Sequence, residues 1–172
     1  MQTASLSRRE LLLGRPTARA AIICPPGATI ASLEATCTGC GLCAERCPTG
    51  IIALVGGLPS IDFALGECTF CGQCSAACPE PVFEAEQATR FPHVAAIDDT
   101  CLARRGISCL SCGESCPVQA IRFRPRIGGP FEPELSAELC SGCGACLAVC
   151  PVNAIGLAPR KAEVGETEAA DA

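Results

Sequence analysis

The sequence predicts an α+β protein made of two small tandem modules, each built from short strands and single helical turns and organised around its cysteines. Three observations predict it. The chain of 172 residues carries 17 cysteines but only six Phe, no Tyr and no Trp. Most of the cysteines fall into four blocks of repeated spacing. A short run rich in β-branched residues follows the Cys-Pro that ends three of the blocks, as expected of strands.

The nominal hydrophobic content is 49%, but it falls to about 39% once cysteine is set aside. A chain this poor in large apolar side chains makes a marginal core, and small domains of that kind are stapled by disulfides or metal. Disulfides fit poorly here. Seventeen is odd, and Cys-x-x-Cys steps rarely meet the Cα separation and direction that a disulfide needs. A secreted disulfide scaffold also calls for a signal peptide. Ser7-Arg8-Arg9-Glu10-Leu11-Leu12-Leu13 begins like a twin-arginine export motif, but Gly14-Arg15-Pro16 interrupts it after three leucines. Export signals have apolar regions of roughly 7–15 residues. No apolar stretch is long enough to span a bilayer. The expectation is a cytoplasmic protein whose thiols are reduced before metal enters.

Blocks one, two and four share the pattern C-x2-C-x2-C-x3-C-P without a gap. They are Cys37, Cys40, Cys43 and Cys47; Cys68, Cys71, Cys74 and Cys78; and Cys140, Cys143, Cys146 and Cys150. Block three departs from it, with seven residues between Cys101 and the run Cys109, Cys112 and Cys116. Strands are expected at Ile51–Val55, Ala120–Phe123 and Ala154–Leu157, and a helical turn where the third and fourth cysteines lie four apart. The domain reading is a basic arm at residues 1–30, module one at 31–83, a polar linker at 84–93, module two at 94–157, and an acidic disordered tail at 158–172.

Three cysteines at x2 spacing let one loop supply three corners of a cubane [4Fe–4S] cluster. The fourth, followed by Pro, ligates the neighbouring cluster in two-cluster ferredoxins. Proline fixes φ and turns the chain out of the helical turn. Gly41, Gly72 and Gly144 follow the second cysteine, where a side chain would crowd the inorganic core. Zinc prefers separated Cys-x-x-Cys pairs or histidine, and the one histidine, His93, lies outside every block. The crossing rule gives four ligand sets: Cys37, Cys40, Cys43 with Cys78; Cys68, Cys71, Cys74 with Cys47; Cys140, Cys143, Cys146 with Cys116; and Cys101, Cys109, Cys112 with Cys150. Block three also aligns with Cys109 and Cys112 in the first two positions. The expectation is therefore four clusters, or three if that block is degenerate.

The remaining polar and reactive residues have plainer readings. Cys24 reads as a buried or idle thiol and His93 as a surface turn residue. Arg122, Arg124 and Arg126 alternate along a strand and share a face. With Arg104 and Arg105 they form either a solvated edge that offsets cluster charge or a docking patch. Arg8, Arg9, Arg15 and Arg19 against Glu10 give residues 1–23 a formal charge of +3. Glu163, Glu166, Glu168 and Asp171 make the end acidic. Each oxidised cluster with four thiolates carries about −2. Four of them would take the chain from −5 to about −13, against which the basic arm is the segment of opposite sign. No nucleophile–base pair or substrate-site motif marks a free-standing enzyme, and no basic domain marks a nucleic-acid binder.

The four blocks resemble the NapF-type polyferredoxins. The likeness lies in Asp99-Thr100-Cys101-Leu102-Ala103, in Ile121-Arg122-Phe123-Arg124-Pro125, and in the opening Ser7-Arg8-Arg9-x-Leu11-Leu12-x-Gly14-Arg15. It covers nearly the whole chain apart from the acidic tail. The resemblance implies a cytoplasmic protein that binds [4Fe–4S] clusters. It implies a partner too, the precursor of the catalytic molybdenum subunit of periplasmic nitrate reductase, whose maturation the family assists before export. Two functions stay open at this point, an accessory factor docking on that client and a plain electron-carrier subunit of another oxidoreductase complex.

Overall fold

The computed structural model describes residues 22–83 and 88–160. Residues 1–21 of the expected arm, 84–87 of the expected linker and 161–172 of the expected acidic tail lie outside the described residues. Each expected strand forms, and each finds an antiparallel partner that the sequence reading missed. Strand β1, Ile52–Val55, pairs with β2, Leu58–Ile61, in a hairpin that sets Ile52 against Ile61 and Val55 against Leu58. Its two-residue turn is Gly56-Gly57, with φ of +61° and +85°. Positive φ at both central residues is the requirement of the tight hairpin turn, and glycine meets it without strain. Strand β3, His93–Ile97, pairs with the last strand, β6, Ile155–Pro159. Between them, β4, Ile121–Arg124, forms a second hairpin with β5, Glu132–Leu135.

The missed partners β2 and β5 are short and each holds a proline, Pro59 opposite Leu54 and Pro133 opposite Phe123. Proline argues against a central strand, but in two-stranded sheets every strand is an edge. Among the described residues the first half has no counterpart of the β3–β6 pair and closes instead through one bridge, Ala28 to Phe83. Helix α1, Ile30–Thr36, was also unforeseen. It begins in a reciprocal cap, where the Thr29 hydroxyl accepts from Ser32 N–H and the Ser32 hydroxyl accepts from Thr29 N–H. The single-turn helices are α2, Leu42–Glu45; α3, Gln73–Ala76; α4, Ser111–Glu114; and α5, Ala145–Ala148.

Two small cores result. One gathers Ile51, Ile52, Ile61, Phe63 and Phe91; the other gathers Val94, Ala95, Ala120, Ile121 and Ile155 with Cys112, Cys140 and Cys146. Leu147 packs against both. Three expectations are corrected here. Residues 22–30, read as arm, are packed: Ile61 N–H donates to the Ile23 carbonyl at 2.8 Å and Ile23 N–H to the Ser60 hydroxyl at 3.2 Å. The polar linker ends in a buried ring, Phe91, which is 3% exposed. His93 opens β3 half-buried rather than sitting in a surface turn, and its Nε2–H donates to the Gly142 carbonyl at 3.0 Å. Local polarity suggested a linker, but Phe91 and His93 have somewhere to bury because the two halves meet there. Among the described residues no helix is long and apolar enough to cross a membrane.

Candidate metal centres

Each regular block builds its loop the same way. The residue after the second cysteine is a glycine with left-handed backbone, Gly41 at φ +82°, Gly72 at +73° and Gly144 at +85°. That glycine starts the single-turn helix. The third cysteine lies inside the helix and the fourth just beyond its end. The backbone adds a reason for glycine beside the one the sequence suggested. Left-handed φ is required at all three positions. At Gly144 the crowding neighbour is protein, since a Cβ there would stand 2.0 Å from Phe63 Cδ1. In block three the matching residue is Leu110, at φ −124°. Gly113 lies within α4 and has no left-handed φ, so it is not the equivalent of Gly41. That geometry disfavours aligning Cys109 and Cys112 with the first two positions.

The cysteines meet across blocks. One cavity is lined by Cys37, Cys40 and Cys43 together with Cys78 of the next block. A second is lined by Cys68, Cys71 and Cys74 together with Cys47. A third is lined by Cys109, Cys112 and the distant Cys101, with Cys150 from block four. Cys24 lines none of the three. In the remaining block, Cys112 and Cys116 of block three both stand near Cys146. Burial, then the nearby thiols of Cys143, Cys140, Cys112 and Cys116, push the Cys146 thiol up to about 12. Cys140, Cys143 and Cys146 are all buried, whereas Cys40 and Cys71 are exposed.

Burial with neighbouring thiols also pushes Cys68 and Cys112 up to about 11, and raises Cys43 and Cys74. Grouped thiols whose ionised forms repel one another are a poor arrangement for free side chains. They are the expected one for a site whose positive metal core accepts every thiolate. Among the described residues no three or more His, Cys, Asp or Glu close on a point fit for a single ion. The thiols stand around a space instead. Four soft sulfur donors facing one cavity fit a [4Fe–4S] core.

Cys47 is the exception in charge. Burial raises its thiol, but the Thr49 hydroxyl and the amides of Ile51, Thr49 and Gly50 outweigh burial and lower it overall. The cause is a turn recurring after the fourth cysteine, with positive φ three residues on, at Gly50 (+65°), Gln119 (+50°) and Asn153 (+50°). It aims the next amide at the sulfur: Ala120 N–H donates to Cys116 Sγ and Ala154 N–H to Cys150 Sγ, each at 3.2 Å. Block two has Pro81 at that position, where φ cannot turn positive, and Val82 N–H goes to the Glu80 carbonyl at 2.8 Å. The sequence reading missed this turn. The signal was there in Gly50 and Asn153, each three residues past the last cysteine of its block.

Arg160, at the end of β6, was also missed. Its guanidinium donates to the carbonyls of Cys140 at 2.6 Å and Ala137 at 2.7 Å, and reaches those of Phe91 and His93. The expected arginine face is partly neutralised, with Arg124 paired to Glu134 and Arg126 at 3.9 Å from Glu132. Arg104 is committed to the fold through the Ile97 carbonyl at 2.8 Å.

The 4Fe-4S dicluster domain family matches the chain twice, over residues 36–82 and 105–154. The second match begins after Cys101, so the placement of that residue rests on the cavity. The ferredoxin-type protein NapF of Escherichia coli K12 is 41% identical over 144 residues, 83% of this chain and 88% of its own length. The NapF protein of Haemophilus influenzae is 37% identical over 159 residues, 86% and 90% of the two chains. The methylamine utilization ferredoxin-type protein MauM of Methylobacillus flagellatus is 30% identical, over 83% of this chain and 69% of its own.

Proposed function

This chain belongs to the NapF-type ferredoxins, iron–sulfur proteins that bind 4Fe-4S clusters for electron transfer, and from that premise we propose a specific role for it. It is a carrier of four clusters in two tandem pairs. It acts in the cytoplasm on the precursor of the molybdenum-containing catalytic subunit of periplasmic nitrate reductase, assisting maturation before export. The observation that carries the cluster part is the crossing of cysteines between blocks, Cys47 into the cavity of block two and Cys78 into that of block one.

When bound, the clusters supply one-electron oxidation and reduction. The ligands are the sixteen cysteines of the four sets, Cys101 among them. The protein's own part is to hold and tune those sulfurs. Thr49 and the turn amides donate to Cys47, Cys116 and Cys150, and such hydrogen bonds are one of the levers on cluster potential.

The client rests on the family resemblance and on the +3 segment at residues 1–23, whose Arg8, Arg9 and Leu11–Leu13 are the proposed anchors. Deleting residues 1–20 is expected to leave iron content intact and abolish capture of the nitrate reductase precursor. Equal capture by the truncated and full-length proteins would move docking elsewhere. A second reading, an electron-carrier subunit of another oxidoreductase complex, draws support from the MauM relative, whose name attaches a similar chain to methylamine utilization. Failure of the full-length protein to capture the precursor would favour it.

A further inference from the structure

The two halves meet where block two and block four lie side by side. Cys68 N–H donates to the Cys143 carbonyl at 2.9 Å, a direct backbone link between two cysteine loops. A cluster of rings closes over that link. Phe63 stands edge-on to Phe91 at 5.7 Å, Phe70 lies 5.4 Å from Phe91, and His93 stacks on Phe91 at 4.8 Å. Phe63 and His93 grip the block-four loop through their rings and Phe91 through its backbone amide. Phe63 fills the space beside Gly144, Phe91 N–H donates to the Ser141 carbonyl at 2.8 Å, and His93 bonds the Gly142 carbonyl. Gly142 has no room for a side chain, since a Cβ would stand 2.6 Å from the His93 carbonyl and 2.9 Å from Phe91 Cβ.

Within each half, the crossing cysteines already make neighbours of two sites. The junction joins the halves through the inner pair. We propose that Phe63, Phe91 and His93 are positioning residues that lock the block-two site against the block-four site, so that the four sites form one continuous file. The proposal rests on the four-site reading above. The file runs block one, block two, block four, block three, which is not the order of the sequence. Its outer sites are those of Cys37, Cys40, Cys43 with Cys78, and of Cys101, Cys109, Cys112 with Cys150. The process served is passage of single electrons: one site is oxidised as its neighbour is reduced, and no bond is made or broken. The outer donor and acceptor are one-electron redox proteins.

The test uses the full-length chain loaded anaerobically, as wild type, Phe91→Ala and Phe91→Leu. It measures iron and sulfide, electron paramagnetic resonance after dithionite reduction, and hydrogen exchange of residues 66–72. Wild type is expected to hold about sixteen iron and to give a spectrum that requires four mutually coupled spins. Phe91→Ala should keep its iron but fall to two independent pairs. With the ring contacts of Phe91 lost, its 66–72 segment should exchange about tenfold faster, as weakening of the Cys68–Cys143 backbone link by about the worth of one typical hydrogen bond allows. A wild-type spectrum made of two independent pairs overturns the proposal, as does full four-spin coupling in Phe91→Ala. If Phe91→Ala does not hold clusters, Phe91→Leu carries the exchange comparison, and protection equal to wild type overturns it. Fewer than about sixteen iron in wild type is a failure of the four-site reading and is separately visible.

Discussion

Replacing Thr49 by Val removes one hydroxyl and keeps the side chain's shape. In the structure that hydroxyl lies 3.5 Å from Cys47 Sγ and helps hold the thiol below its ordinary value. A hydrogen bond to a cluster sulfur favours the more negative, reduced state, so its loss should lower the potential of one site, that of Cys68, Cys71, Cys74 and Cys47. A typical net hydrogen bond contributes about 0.5–1.5 kcal/mol. For a one-electron couple about 59 mV corresponds to a factor of ten, which brackets the effect at about 20–60 mV. Cys47 is partly open to solvent, which screens the interaction and places the expectation near the lower end. Anaerobic redox titration followed by electron paramagnetic resonance, or film voltammetry, resolves such a shift. Thr49→Ser, which restores the donor, should return the potential toward wild type. A shift upward, no shift, or an equal shift at every site would refute the reasoning.

Four further outcomes are expected. Cys101→Ser should drop iron and sulfide from about sixteen to about twelve per chain, because Cys101 faces one cavity only; unchanged iron would establish the three-cluster alternative. Gly144→Ala should cost about 1 kcal/mol for left-handed φ and about 1–3 kcal/mol for overpacking against Phe63. Gly41→Ala, whose Cβ meets only Leu54 Cδ1 at 3.8 Å, should cost the first alone, and equal losses in anaerobic thermal denaturation would count against this account. Burial and neighbouring thiols raise Cys68, Cys112 and Cys146 above the ordinary thiol value near 9, so cluster loading, which must release those protons, should improve with rising pH; anaerobic loading that is independent of pH or falls as pH rises would contradict this. Finally, chelation or air oxidation of the clusters should abolish the far-ultraviolet circular dichroism of the ordered chain, because cluster binding is folding free energy in a protein with cores this small; an unchanged spectrum in the apoprotein would speak against it.

The repeat spacing alone pointed to the kind of metal group and to Cys47, Cys78 and Cys150 standing with the cysteines of a neighbouring block, because a cubane's demand for four thiolates leaves few ways to arrange gapless C-x2-C-x2-C-x3-C-P. It also located β1, β4 and β6, where β-branched residues follow a turn at a fixed distance from Cys-Pro. What pairs with those strands was a tertiary matter. Pro59 and Pro133 look like strand breakers until the sheets prove to be two-stranded. Local pattern could not say whether Cys101, eight positions before Cys109, reaches the same cavity, because the path of an irregular loop depends on what it packs against. The same holds for Phe91 and His93. A polar stretch ending in Phe-Pro-His reads as a linker by composition, and only docking of the two halves turns those rings into the contact that holds block two against block four. Metal ligation is written in short spacings along the chain, whereas the distance between one metal site and the next is set by side chains far apart in sequence.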